Sequence, residues 1–302
     1  GRGWAFMGGV AAGVKGANGG GGGGGAGAGG AGGHRWGLPI PWCVLMKPSR
    51  LPALMTFAVL VFLHAPLVVL VVNSFNASRF GGSWEGWTLK WYEQLWAAGP
   101  VWDSLWVTLK LACAATATSV VLGTLGAWAL FRHRSWLQQV HHALVVLPLA
   151  LPDILMGMSL LALFAAVGLD TGMVTLWIAH TTFCLSYVTM VVLARLEGFD
   201  LTLLDAARDL GGGRWQVVRR VLLPLLMPGI LAGALLAFTL SLDDYVITFF
   251  VSGPGTTTLP LRVASMMKTS RSLPVINALS TLMIGVTFVL AALAFRLQQR
   301  RS

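Results

Sequence analysis

Three carboxylates lie within stretches of the sequence that are otherwise apolar: Asp153, Asp243 and Asp244. A charge at the centre of a lipid bilayer costs at least about 2.5–3.5 kcal/mol on insertion scales, so such residues usually face an interior path or a partner. A path for a cation would benefit from a few carboxylates but not many, because a deep well would trap the cation. We therefore treat these three acids as candidate substrate-pathway residues.

The same carboxylates also allow a structural interpretation. Neighbouring residues on an α-helix point about 100° apart, so Asp243 and Asp244 cannot both face one pore directly. The alternatives for one of them are a helix dipole, a serine hydroxyl such as that of Ser241, or a partner subunit. Asp153 closely follows two prolines, which predict a broken or kinked helix. For His180, we expect a hydrogen-bonded packing role rather than a proton relay.

The composition requires lipid as the solvent for much of this chain. Of its 302 residues, 56% are hydrophobic and 11% are charged, whereas an ordinary soluble domain has about 25% charged residues. The net charge of +10 could suggest nucleic acid, but basic residues in short loops between spans report membrane orientation instead. We expect no nucleic-acid partner. No metal-site spacing or nucleophile–base pair is present, so we expect no catalysis in this chain.

Six stretches of the sequence are long and apolar enough to cross the hydrocarbon core, which needs about 20 residues. Each should be a helix, because a spanning backbone must satisfy its own hydrogen bonds. The sequence thus predicts an all-α integral membrane protein with six transmembrane helices, at Leu51–Asn73, Ser104–Leu130, Ala143–Val167, Met173–Leu193, Gly229–Val251 and Pro274–Phe295.

The first 45 residues differ from the rest of the chain. The run "GANGGGGGGGAGAGGAGG" has no apolar periodicity and should be disordered. We therefore predict a glycine-rich extension over residues 1–45 and a membrane domain over residues 46–302. Met46 opens a short basic lead into the first span, and we expect it to be the natural start.

The loop charges predict the orientation of the chain. With the N-terminus in the cytoplasm, fifteen lysines and arginines fall on the cytoplasmic side of the six spans and five on the other side. Cytoplasmic loops of membrane proteins carry such an excess of positive charge. Both termini are therefore predicted to be cytoplasmic.

The predicted external loop after the first span carries six tryptophans, from Trp84 to Trp106. Tryptophan is enriched at headgroup depth, because its ring is apolar and its N–H is polar. This pattern predicts a membrane-surface helix in an aromatic belt. A contact surface for an external protein is a second, compatible interpretation.

A basic segment at about residues 196–228 interrupts the apolar pattern between the fourth and fifth spans. Asp200 is placed to cap a first short helix, which Gly211 ends because glycine readily adopts positive φ. A second helix begins near Arg214. An apolar face has no use in a solitary loop, so we expect a protein partner for the faces formed by Leu201, Leu204, Ala207 and Leu210 on the first helix and Trp215, Val218 and Leu222 on the second.

This segment resembles the "EAA" loop of ABC importer permeases, which reads Glu-Ala-Ala, three residues, Gly, nine residues, Ile-x-Leu-Pro. In that family the first short helix is a coupling helix, which docks in a groove of a cytoplasmic ATPase. The resemblance implies a permease of MetI-like fold with a coupling loop between its fourth and fifth helices. Asp205 replaces the family's Glu and Val221 its Ile; the matching residues are Asp205, Ala206, Ala207, Gly211, Val221, Leu223 and Pro224.

Longer stretches, such as "LPDILMGMSLLALF" and "FTLSLDDYVITFFVSGPGTTTLPLRV", look like the second permease of spermidine/putrescine importers. The similarity covers nearly everything from about Leu51 to Phe295. It implies an importer in the bacterial inner membrane, with two different permeases, two copies of an ATPase and a periplasmic polyamine-binding protein. ATP and Mg²⁺ would bind to the ATPase, and no cofactor or metal is implied in this chain.

Two alternative functions remain open at this point. The first keeps the permease fold and changes the cargo to another small solute, such as iron or an opine, because a fold does not determine its cargo. The second is a secondary transporter or channel in which the membrane aspartates carry protons or cations. Such proteins need no ATPase-docking helix, and their halves often show inverted repeats. We see no convincing repeat in this sequence.

Overall fold

The computed structural model of this chain describes residues 50–79, 83–132, 135–268 and 273–299. The chain divides into two compact units, residues 1–56 and residues 57–302. In the first unit the described residues, 50–56, begin helix α1. The predicted glycine-rich extension lies outside the described residues.

Nearly all of the described residues are helical, and these residues hold no β-strand beyond one antiparallel bridge between Asn76 and Trp87. The prediction of an all-α fold is therefore confirmed. The helices are α1 (Arg50–Ser74), α2 (Lys90–Ala97), α3 (Gly99–Arg132), α4 (Trp136–Ala150), α5 (Asp153–Ala166), α6 (Met173–Glu197), α7 (Thr202–Asp209), α8 (Arg214–Val217), α9 (Leu223–Asp243), α10 (Val246–Val251), α11 (Leu259–Lys268) and α12 (Leu273–Gln299), with a π-helical turn (Val218–Leu222) joining α8 to α9.

Within the described part of the chain, four helical runs are long and apolar enough to cross a membrane: α1, α3, α6 and the run Arg214–Asp243. A fifth span is counted if the bent pair of α4 and α5 is taken as one. Helix α12 is 27 residues long, and its part Leu273–Val289 is a shorter apolar helix. Four or five spans thus lie in the described part of the chain, and the predicted sixth span stays a prediction.

The third predicted span, Ala143–Val167, is broken into α4 and α5, whose axes are bent by 116°. Leu151 takes an extended backbone (φ −82°, ψ 138°), because a following proline disfavours the α conformation. Pro152 is that proline, so the predicted break is confirmed. Pro148, in contrast, lies inside α4 and does not end it.

The fifth predicted span, Gly229–Val251, is also broken, and here the expectation of a continuous helix was wrong. Helix α9 ends at Asp243, Asp244 is extended (φ −62°, ψ 125°), and α10 begins at Val246. No proline or glycine lies at this break. Its cause is a set of side-chain hydrogen bonds, which belong to the candidate site.

Helices α3, α6 and α9 pack against one another and form the centre of the main apolar core. Small residues allow these helices to approach closely, as is common between membrane helices. A Cβ at Gly123 of α3 would lie 2.9 Å from the Cβ of Val188 on α6, and one at Gly233 of α9 would lie 3.4 Å from Cγ1 of Val188. The side chain of Val188 therefore lies between two glycine surfaces.

A second apolar cluster joins α2, α11 and α12, and its members include Trp91, Leu95 and Leu279. The indole N–H of Trp91 donates to the carbonyl of Asn76 at 2.7 Å, which ties α2 to the loop before it. The predicted helix after the first span is present as α2. Four of the six tryptophans are exposed: Trp84, Trp87, Trp96 and Trp106.

Candidate functional site

The carboxylate of Asp244 caps the short helix α10. It accepts hydrogen bonds from the backbone N–H of Ile247 at 3.3 Å and of Thr248 at 2.8 Å, and from the hydroxyl of Thr248 at 2.8 Å. In lipid, free N–H groups at a helix start cost several kcal/mol each (about the cost of burying any unpaired polar group). Asp244 thus makes a break in the fifth span tolerable at this position.

His180 of α6 connects this cap to the end of α9. Its imidazole is fully buried, with Nδ1 lying 2.7 Å from the hydroxyl of Ser241 and Nε2 lying 3.0 Å from the hydroxyl of Thr248. Nε2 also lies 3.6 Å from the carboxylate of Asp244. The four side chains, which we call the 180–244 network, are His180, Ser241, Asp244 and Thr248.

The hydrogens of the 180–244 network have one consistent arrangement when Asp244 is ionised and His180 is neutral. The Thr248 hydroxyl donates to Asp244, so it must accept from Nε2–H of His180. Nδ1 then accepts from the Ser241 hydroxyl. These hydrogen-bond partners assign His180 to the tautomer that carries its proton on Nε2. The expected packing role of His180 agrees with these contacts, and Asp244 has the helix-dipole role that was one of its structural alternatives.

Asp243 and Asp153 occupy different surroundings from Asp244. Asp243 is the last residue of α9; its side chain is exposed and forms no ion pair within the described residues. Asp153 is exposed and is the first residue of α5. At this end of a helix, the helix dipole stabilises a negative charge. Two carboxylates therefore stay accessible at the two breaks, while the third is bound into the network.

The two breaks lie in neighbouring parts of the fold, because α5 packs against α10. Gly157, one turn after Asp153, allows this approach: a Cβ there would lie 3.4 Å from Cα of Ile247 and 2.7 Å from a ring carbon of Phe250. The half-helix that starts at Asp153 is thus in direct contact with the half-helix that Asp244 caps.

The basic segment after α6 forms the predicted helix–turn–helix. Asp200 accepts a hydrogen bond from the backbone N–H of Thr202 at 2.9 Å, which caps the start of α7 and holds the pKa of the Asp200 carboxyl below its usual value. At the other end, Gly211 has a φ of +82°. Its N–H bonds the Arg208 carbonyl at 2.8 Å, and the N–H of Gly212 bonds the Ala207 carbonyl at 3.1 Å. This pattern is a Schellman motif, which closes the helix end.

The apolar faces predicted for this segment divide between the core and the solvent. Leu204 and Leu222 are buried in the main core, and Ala207 packs against it. Leu210 and Trp215, in contrast, are 90% and 71% exposed. The prediction of two uniform partner-facing surfaces was therefore wrong, because one turn of each helix is needed to hold the loop against the bundle. Leu201 and Val218 lie on the exposed side.

The other residues that match the EAA pattern lie at or near the surface. Asp205 forms an exposed ion pair with Arg208 at 3.0 Å, and Ala206 is exposed. Val221 is half-buried, whereas Leu223 and Pro224 are exposed at the start of α9. Pro224 has no N–H to donate, and the π-helical turn immediately before it shifts the hydrogen-bond register. The run from Arg214 to Asp243 therefore stays helical through the proline.

Residues 119–302 match the model of a protein family described as binding-protein-dependent transport system inner membrane component. The match covers more than half of the chain, including both helix breaks and the basic segment. The chain belongs to this family. Its members are inner-membrane components, so the protein is an integral membrane permease, in agreement with its apolar helices.

Curated relatives cover the permease over most of its length. It is 41% identical over 238 residues to the spermidine/putrescine transport system permease protein PotC of Haemophilus influenzae. This alignment covers 79% of this chain and 92% of the relative. It is also 41% identical over 246 residues to the putrescine transport system permease protein PotI of Escherichia coli, covering 79% of this chain and 87% of the relative.

A solved structure agrees with the permease fold. The chain aligns, with a TM-score of 0.65 and 15% identity, to the crystal structure of a bacterial ABC transporter involved in the import of the acidic polysaccharide alginate. The alignment covers 80% of this chain and 94% of that one. At this identity the likeness shows the fold alone.

Three residues of the permease's sites were not singled out from the sequence. Thr248 had no signal beyond its place four residues after Asp244, where a hydroxyl can meet a carboxylate across one turn. Gly212 was visible as the middle of three glycines; a Cβ there would lie 2.6 Å from the Ala207 carbonyl oxygen. Val217 is buried, one residue away from the predicted apolar face.

We predict that Asp244→Asn destabilises the permease and that Asp243→Asn does not. The amide nitrogen of the variant would face the N–H and hydroxyl donors of Thr248, leaving buried donors unpaired at a cost of about 1–3 kcal/mol. Asp243→Asn is the matched control, because that carboxylate is exposed. Thermal unfolding in detergent measures both; equal unfolding temperatures for the two variants would contradict the assignment.

Proposed function

We propose that this chain is one transmembrane subunit of an ATP-driven ABC importer that takes up polyamines. The observation that carries the proposal is its 41% identity, across 79% of the chain, to permeases named for spermidine/putrescine and for putrescine transport. The EAA-type segment supports the ATP-driven class, since a secondary transporter has no need of an ATPase-docking helix. ATP and Mg²⁺ then belong to a partner ATPase, and this chain performs transport without catalysis.

The proposed assembly contains a second, different permease, two copies of a cytoplasmic ATPase and a periplasmic polyamine-binding protein. The excess of basic residues supports an orientation with both termini and the segment from α7 to α8 in the cytoplasm. In this orientation Leu210 and Trp215 are exposed towards the ATPase. The tryptophan-rich loop between α1 and α3 then faces the periplasm.

Polyamines are flexible polycations, and the accessible carboxylates at the two helix breaks suit them chemically. We propose that Asp153 and Asp243 contact the passing cargo, whereas Asp244 preserves the break beside them. Two separated carboxylates give attraction without the deep well that a cluster would create. Asp244, also a candidate substrate contact from the sequence, is here proposed to act on the cargo indirectly, by keeping the break at which Asp243 lies.

We expect Asp153→Asn and Asp243→Asn each to lower the initial rate of labelled putrescine or spermidine uptake several-fold, with normal thermal stability. Each change removes a negative charge from an exposed position, so folding is spared while attraction for the cation falls. Uptake and ATPase activity are measured together in proteoliposomes. Normal uptake in both variants would remove these residues from the pathway.

A long helical run starts within the basic segment and ends at the break in the fifth span. The run Arg214–Asp243 is 30 residues long, which corresponds to about 45 Å of helix. The Schellman turn at Gly211 and Gly212 fixes α7 against the start of this run. A displacement of α7 by the ATPase would therefore move the far end of the run, where Asp243 lies. This continuity is the physical basis that we propose for coupling.

We predict that Gly211→Val uncouples ATP hydrolysis from uptake without unfolding the membrane bundle. Gly211 has a φ of +82°, which a β-branched residue adopts only with strain. Gly213→Val is the matched control, because Gly213 has a φ of −63° and an extended ψ of 157°. Polyamine uptake should fall severalfold in the first variant and stay near wild type in the second. Unimpaired uptake in Gly211→Val would contradict the coupling role.

The cargo is tested by reconstituting the four-part complex and measuring ATP hydrolysis with the binding protein present. We expect polyamine-loaded binding protein to stimulate hydrolysis at least several-fold over the unloaded protein, because cargo delivery should be coupled to turnover. Iron and opines serve as control solutes. Stimulation by one of these and not by putrescine or spermidine would overturn the cargo, and transport without ATP would overturn the ATP-driven class.

A further inference from the structure

A cavity of about 640 Å³ lies between the end of α3, helix α7 and the α8–π turn. Its volume falls within the range of small-molecule sites, about 300–1,000 Å³. Three arginines line it, Arg132, Arg208 and Arg214, above an apolar floor that includes Trp128 and Leu222. The coupling role uses none of these three charges, so their convergence needs another explanation.

The charges in this cavity are mostly uncompensated. Arg208 forms an exposed ion pair with Asp205, whereas Arg132 and Arg214 have no acidic partner among the residues that the structure describes. Like charges around one cavity repel each other, and an anion relieves that repulsion. Guanidinium groups hold phosphate particularly well, because their N–H donors match its oxygens.

The depth of the cavity places it at a membrane surface. Lys110 and Arg132 bracket an uncharged stretch of α3, residues 111–131, which matches the roughly 20 residues that span the hydrocarbon. Arg132 is therefore at headgroup level, and Trp128 lies one turn deeper, where indole rings are enriched. An occupant that combines a phosphate with an adjoining apolar chain satisfies the arginines and the floor together.

We propose that this cavity binds the headgroup phosphate of an anionic phospholipid such as phosphatidylglycerol. One acyl chain then lies along the apolar floor, and the phosphate bridges Arg132 of the bundle to Arg214 of the loop. A bound lipid would thus hold the basic segment against α3. The inference concerns the membrane protein itself and does not depend on the cargo proposed above.

The test compares two double variants of the assembled, delipidated complex in detergent. Arg132→Gln with Arg214→Gln removes two charges that line the cavity. Arg219→Gln with Arg220→Gln removes two exposed charges from the same segment that do not line it. Phosphatidylglycerol or phosphatidylcholine is titrated, and retained lipid is counted by native mass spectrometry. All four arginines are exposed, so the substitutions spare the core.

We expect the wild-type complex and the Arg219/Arg220 variant to retain phosphatidylglycerol in preference to phosphatidylcholine. The Arg132/Arg214 variant should bind it about thirtyfold more weakly, since each basic residue near an anionic surface contributes roughly fivefold. Equal losses in the two variants, or no preference in the wild type, would overturn a specific site.

Two further outcomes would also overturn the proposal. Displacement of the lipid by millimolar inorganic phosphate would show a site for a free anion rather than for a phospholipid. Unchanged lipid retention in the Arg132/Arg214 variant, together with weaker association of the ATPase, would assign the arginines to an acidic surface of that partner.

Discussion

The structure depends on one constraint: a backbone inside lipid must satisfy its own hydrogen bonds, because no water is available there. Continuous helices meet this constraint without help. A broken helix does not, and the break between α9 and α10 leaves N–H groups that need acceptors. Asp244 accepts from two of them. His180 of α6, itself bonded to Ser241 of α9, holds Thr248, whose hydroxyl donates to Asp244.

The tight packing of α3, α6 and α9 is what allows this polar network to exist. His180 is fully buried only because α6 lies close to α9, and the glycines that face Val188 permit that approach. In the same way, Gly157 brings α5 against α10. The two accessible carboxylates thus lie on half-helices whose positions are fixed by contacts from other helices. The long helical run Arg214–Asp243 then connects this region to the basic segment. The carboxylate of Asp243 and the segment proposed to contact the ATPase therefore lie at the two ends of one helical run.

The sequence predicts much of this arrangement, for identifiable reasons. The all-helical fold follows from apolar length, and the break before Asp153 follows from Pro152. The turn at Gly211 follows from a glycine at the expected spacing. The break at Asp244 could not be predicted, because it has no proline or glycine and depends on His180, which is 64 positions earlier in the chain. The division of the loop's apolar faces was also missed, since tertiary contacts decide which turn of a short helix is buried.

Side-chain hydrogen bonds from α6 hold the break in the fifth span. A double-mutant cycle between His180→Ala and Thr248→Val, measured by unfolding of the purified protein in detergent, tests it most directly. We expect a coupling free energy of at least about 0.5 kcal/mol, as found for residues in one hydrogen-bond network. Additivity of the two substitutions, within about 0.3 kcal/mol, would contradict it.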